Sequence, residues 1–160
     1  MTSKNPDLLK ASAQQRLTDA RRHLRALEAA TAEFGGDFDL DAFSDAWSSN
    51  DPKTLHRAYA VQAGYENVIN SVITAGREIC ELQGWVTGSS EPSSIEVLRA
   101  LHENGVITAK VRQDLKDAQE MRSDVQHDYA GVAARNVHEA VLLVLRAAPD
   151  LIQDAAVVLR

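Results

Sequence analysis

The stretch Met121-Arg122-Ser123-Asp124-Val125-Gln126-His127-Asp128-Tyr129 gathers the clearest candidates for chemistry in the chain. Arginine offers a planar fork of donors to an anion, imidazole exchanges protons near neutral pH, and phenol both donates and accepts. Ser123 and His127 are four positions apart, so on a helix they share a face and the hydroxyl can orient the imidazole. Arg122 and His127 are five apart, which sets them about 140° from one another on an ideal helix. They converge only if the helix loosens at its end or the long arginine arm swings round. Arg, His and Tyr at a helix C-terminus also cap carbonyls and complement the dipole, and spacing alone favours that structural use.

Other chemistry has little footing. The chain contains no glycine-rich phosphate loop, no HExxH and no G-x-S-x-G. Of the five histidines, His23, His56, His102, His127 and His138, none lies four positions from another. His127 and His138 could share a helix face, but about 16 Å apart along the axis, too far for one ion. No metal site and no cofactor are expected. The single cysteine, Cys80, excludes an intrachain disulfide framework and reads as a small core residue in a reducing compartment.

The hydrophobic fraction is 44% and the charged fraction 25%, so the chain can bury a core and need not be disordered. The net charge of −6 argues against general affinity for nucleic acid, and no DNA binding is expected. Charge is unevenly placed, however. The region from Glu28 to Glu91 is strongly acidic, that from Arg99 to Arg160 is nearly neutral, and Arg16, Arg21, Arg22 and Arg25 make a small basic stretch. The arginine cluster reads as a solvated face, with RNA backbone contact as the alternative. The longest apolar runs, Val141 to Leu145 and Ala155 to Leu159, fall far short of the roughly 18 residues that span a bilayer, and Met1 to Lys10 lacks the apolar stretch of a signal peptide. A cytoplasmic protein with no membrane contact is expected.

The elements that must position these residues are helical. Asn5-Pro6-Asp7 is a cap with proline in the first turn, followed by a seam of Ala13, Leu17, Ala20, Leu24, Leu27, Thr31 and Phe34 up to Gly35-Gly36. The acidic insert at about 35–51 carries Phe38, Leu40, Phe43 and Trp47, which predict a short helix capping the bundle, or a partner-docking patch. A second long helix starts at Asp51-Pro52 and carries Leu55, Tyr59, Gln62, Tyr65, Ile69, Val72, Gly76 and Ile79 to about Gly84. Trp85 to Pro92 is a loop. Ser93 and Ser94 cap a short helix to about Glu103, and Asn104-Gly105 breaks it. Thr108 caps a helix through Val111, Leu115, Ala118, Met121 and Val125, which Tyr129-Ala130-Gly131 ends. The last stretch, Ala133 to Arg160, is either kinked or divided by Pro149. Trp47 and Trp85 read as capping residues, and His138 as polar-face or interface. No strand alternation and no internal repeat is present. The sum is an all-α antiparallel up-and-down bundle of about four main helices with short extra ones, in a single domain over 1–160.

With that bundle in place, Arg122-x4-His127-x-Tyr129 resembles the Arg-x4-His-x-Tyr signature of HepT-like toxins within the HEPN family of helical ribonucleases. The likeness extends to Glu91–Leu101, similar to the family's loop and short helix, to His102–Ile107, similar to its turn, and to Ala60–Leu82, similar to its second long helix. It covers about Leu55 to Arg160. The resemblance implies a metal-independent endoribonuclease of a toxin–antitoxin pair, with RNA as substrate and a homodimer whose two motifs face each other across a two-fold axis. It makes Arg122 the phosphate holder, His127 the general acid or base and Ser123 the residue that orients the imidazole. It makes Tyr129 the site where an MntA-type nucleotidyltransferase antitoxin attaches AMP, blocking RNA by bulk and charge. One residue departs from the pattern. Ser123 stands where family members usually carry asparagine or another strong polar residue, and Asp124 and Asp128 add negative charge. Ser123, Asp128 and the acidic surface favour the alternative, a non-catalytic HEPN helical dimer acting as a binding or regulatory module.

Overall fold

A computed structural model describes residues 4–88, 90–125 and 132–160, with backbone alone at 123–125 and 132. Among the described residues six helices follow one another: α1 (Pro6–Ala32), α2 (Leu40–Trp47), α3 (Pro52–Gln83), α4 (Ser94–Glu103), α5 (Ala109–Val125) and α6 (Val132–Val158). No strand occurs among the described residues. The long helices α1, α3, α5 and α6 run alternately up and down, and α2 and α4 are the short additions. The protein is thus the all-α bundle that the periodicity predicts.

Local chemistry explains the boundaries. The Asn5 side chain accepts from the Asp7 amide at 2.9 Å, and Pro6 starts α1 where its missing N–H costs nothing. Asp51 does the same for α3, accepting from the Thr54 amide at 3.0 Å ahead of Pro52. Gly84 closes α3 at φ 69°, a left-handed conformation that glycine reaches without a Cβ penalty. Ser93 and Glu96 form a complete capping box on α4, 3.2 Å in one direction and 2.7 Å in the other. The Thr108 hydroxyl accepts from the Val111 amide at the start of α5.

One buried cluster takes side chains from all six helices. α1 contributes its seam as read from the sequence, Ala13, Leu17, Ala20, Leu24, Leu27 and Thr31, with Leu9 added. Each fully buried leucine or isoleucine contributes roughly 1.5–3 kcal/mol of transfer free energy. The first turns of α3 differ from expectation. Ala58 and Val61 are buried, whereas Tyr59 is exposed and Leu55 and Gln62 are only half-buried. The reason is tertiary: small residues face α1 here, and Gly64 lets the Leu27 backbone approach. Tyr59 instead meets Trp47 edge-on, with ring centroids 5.5 Å apart. Further along α3, a Cβ on Gly76 would lie 2.8 Å from Val97 Cγ1, so its lack of a side chain lets α4 sit directly on α3.

The acidic insert forms an aromatic cap. Phe34, Phe38 and Phe43 meet at 5.1–6.1 Å, mostly edge-on, and Trp47 joins Phe43. His138 of α6 stacks on Phe38 at 4.5 Å, and its Nε2 lies 2.6 Å from the Phe38 carbonyl oxygen. His138 is therefore half-buried against the cap instead of lying on a polar face. α6 continues without a break through Pro149, so the helix is not divided there. Its buried face is rich in alanine, including Ala140, Ala147, Ala148 and Ala155, so α6 can approach its neighbours closely. Cys80 is fully buried in the core, and burial pushes its thiol up to about 11. Among the described residues, no helix is long and apolar enough to cross a membrane.

Candidate functional site

α5 carries the motif arginine, and its sequence dictates which way that arginine faces. Val111, Leu115 and Ala118 are buried at helical spacing, and Met121 continues the stripe half-buried. Arg122 follows one position on, at the edge of this stripe and in the last described turn of α5. An edge position lets its aliphatic stem lie on apolar surface while the head group stays reachable. Its side chain is 26% exposed.

The guanidinium is turned across the bundle toward α3. Arg122 Nη1 donates to Asn70 Oδ1 at 2.7 Å, a short bond from a charged donor to a neutral acceptor. Arg122 Nε lies 4.0 Å from Glu66 Oε1, the outer limit of an ion pair. Gln62 Nε2 donates to the same Glu66 oxygen at 3.5 Å. Gln62, Glu66 and Asn70 are spaced i, i+4, i+8, so one polar row of α3 faces the end of α5. Three further polar atoms are buried on these helices: Tyr65 Oη, Glu78 Oε2 and Gln119 Oε1 have no hydrogen-bond partner among the described residues. Burial pushes the Tyr65 phenol up to about 12, the Glu66 charge adds to the rise and the Arg122 charge opposes it. The phenol therefore stays protonated at any physiological pH.

The sequence-predicted site divides cleanly. Arg122 is placed and partnered as described. Ser123 lies on α5, with its backbone alone described. His127 and Tyr129 lie outside the described residues. Asn70 and Glu66, the α3 residues that face Arg122, are marked by no motif. Their signal in the sequence is only a polar row on a helix that is otherwise half apolar. Among the described residues, no three His, Cys, Asp or Glu side chains are grouped to hold a metal ion. What the arrangement offers is one oriented cation, partly neutralised and, among the described residues, with donors to spare, shortly before His127 in the chain.

Comparison with known proteins gives this cation its context. The family model described as HepT-like, ribonuclease HepT-like, matches residues 39–154. That is most of the chain, and the protein belongs to the HepT-like ribonuclease family. The match includes α2 and so reaches further toward the N-terminus than the motifs alone indicated, while α1 lies outside it. No curated protein and no solved structure matches significantly. The family supports a HEPN ribonuclease with RNA as its substrate class.

Proposed function

We propose that this chain is a metal-independent endoribonuclease toxin that cleaves RNA in a composite homodimer site and is silenced by a nucleotidyltransferase antitoxin. The whole of 1–160 is read as one HEPN unit. The observation that carries the reading is the oriented, part-exposed guanidinium of Arg122, held from α3 and followed in the chain by His127 and Tyr129.

RNA brings its own nucleophile, the 2′-hydroxyl beside the scissile phosphate. Its proton passes to an imidazole as the oxygen attacks phosphorus. The bond to the 5′-oxygen breaks, and that oxygen takes up a proton. His127 supplies one of these acid–base functions and Ser123 orients it. Arg122 stabilises the charge that gathers on the phosphoryl oxygens. Each chain carries a single motif histidine, so the second proton-transfer group comes from the partner copy across a two-fold axis. AMP on Tyr129 would add bulk and negative charge beside the groove and repel the RNA backbone.

The test is direct. Arg122→Ala and His127→Ala should each abolish RNA cleavage and relieve growth arrest, with unchanged helicity by circular dichroism. Variants as active and as toxic as the parent would overturn the proposal. The non-catalytic binding module is favoured by one observation, the Glu66 carboxylate that shares the field of Arg122. A stable dimer that neither cleaves RNA nor arrests growth would support it.

A further inference from the structure

We infer that Asn70 is a positioning residue for Arg122 and that Glu66 is a counter-charge limiting how tightly Arg122 holds phosphate. The inference rests on the reading of Arg122 as the phosphate-stabilising group. It concerns two residues of α3 that lie 52 and 56 positions before it in the chain.

An arginine side chain has four rotatable bonds, and at a half-exposed helix end it visits many rotamers unless something holds its head. Here only one strong restraint is present among the described residues, the 2.7 Å bond from Nη1 to Asn70 Oδ1. An amide is the suitable partner. It fixes the planar fork through a neutral acceptor and leaves the positive charge in place for phosphate. A carboxylate at the same position would hold the fork equally well but would compete with the substrate for its charge. The carboxylate that is present, Glu66, sits further off, at 4.0 Å from Nε, and is itself braced by Gln62. Among the described residues, Nη2 donates to no protein acceptor and Nη1 keeps a second hydrogen, so the terminal edge remains available for a phosphoryl oxygen.

The two residues therefore have opposite kinetic signatures. Asn70→Ala releases the head group without changing charge. The ground-state attraction for RNA persists, but the transition-state geometry is lost, so kcat falls on the order of tenfold or more while KM changes little. Glu66→Gln keeps shape and removes a negative charge from the groove. It should tighten binding of the same RNA several-fold and make that binding more salt-dependent.

The experiment uses the full chain and a labelled mixed-sequence single-stranded RNA under single-turnover conditions. Affinity is measured separately on the same RNA with 2′-deoxy sugars, which lacks the nucleophile. The slowed-exchange Nη resonances of Arg122 in an 15N spectrum give a readout independent of turnover. The inference predicts a kcat loss with unchanged affinity and a collapsed Arg122 signal for Asn70→Ala, and tighter binding for Glu66→Gln. If Arg122→Ala is inactive while Asn70→Ala matches the parent in kcat and spectrum, the positioning role is overturned and the ribonuclease reading stands. If Arg122→Ala cleaves like the parent, the ribonuclease reading fails and the positioning role goes with it. If Asn70→Ala loses kcat and affinity in parallel with its helicity, the residue serves the fold alone and the positioning role is overturned.

Discussion

α5 carries two charged clamps, and they are built in opposite ways. Near its middle, Asp114 is a buried carboxylate with both oxygens served. Arg146 of α6 donates to Oδ2 at 2.9 Å and to Oδ1 at 3.0 Å, and Lys110 adds a bond at 3.1 Å. Near its end, Arg122 has one short bond to a neutral amide and one long approach to a carboxylate. The first clamp is saturated: the buried charge has all the partners its geometry can use. The second, among the described residues, leaves donors over and keeps the cation partly exposed. Saturation fixes α5 on α6. Incomplete pairing among the described residues leaves a charged group able to take a further ligand, as the proposed role of Arg122 requires.

Substitutions can break this contrast. The largest effect belongs to Arg122→Ala, expected to cost on the order of 10²–10³ in RNA cleavage if it stabilises transition-state charge. Its melting temperature should stay near that of the parent, because the group is partly exposed and, among the described residues, incompletely paired. Asp114→Ala is expected to reverse that pattern. It removes charge-assisted bonds at a buried position and should cost about 2 kcal/mol, or roughly 5 °C in melting temperature. Activity measured well below that temperature should change little. Thermal melts and cleavage assays on both variants decide the matter, and a stability loss confined to Arg122→Ala would invert the comparison.

Acid sharpens it further. Burial alone raises the Asp114 carboxyl, but the hydrogen bonds from Arg146 and then Lys110 outweigh it and hold the group below its ordinary value. A lowered folded-state value means stability that is present above the unfolded value near 4 and is lost as pH falls through the folded one. The parent should therefore lose stability below about pH 4 more steeply than Asp114→Asn, as urea midpoints at several pH values would record. The smallest effect concerns Tyr65. Its buried hydroxyl has no partner among the described residues, so Tyr65→Phe should leave stability unchanged or raise it by up to about 1 kcal/mol. A clear loss in the melt would mean that the hydroxyl is satisfied after all.

Much of the scaffold was legible because its signals are local. The α1 seam is an unbroken run at spacings of three and four, so the buried face could be read directly. The Asp51-Pro52 start and the Ser93–Glu96 capping box are chemistry between neighbours in sequence. The start of α3 was harder. Leu55 and Tyr59 continue the apolar stripe of Ile69 and Val72 as well as Ala58 and Val61 do. The choice between them was made by the approach of α1 at Leu27 and by Trp47 reaching Tyr59. The seat of His138 lies beyond local signals for a similar reason: nothing near it in sequence signals Phe38, a hundred residues earlier.

By itself, then, the chain's order of residues determined that there would be helices, where they start, and that an arginine opening an Arg-x4-His-x-Tyr motif would lie on one of them. Periodicity, caps and motifs act over a few residues, and free energies at that range can be read one segment at a time. The pairing of Arg122 with Asn70, the nearness of Glu66 and the saturated Asp114 clamp were decided only when α3, α5 and α6 met. Their partners lie tens of residues apart, and a polar row on a helix has no chemical meaning until another helix is laid against it.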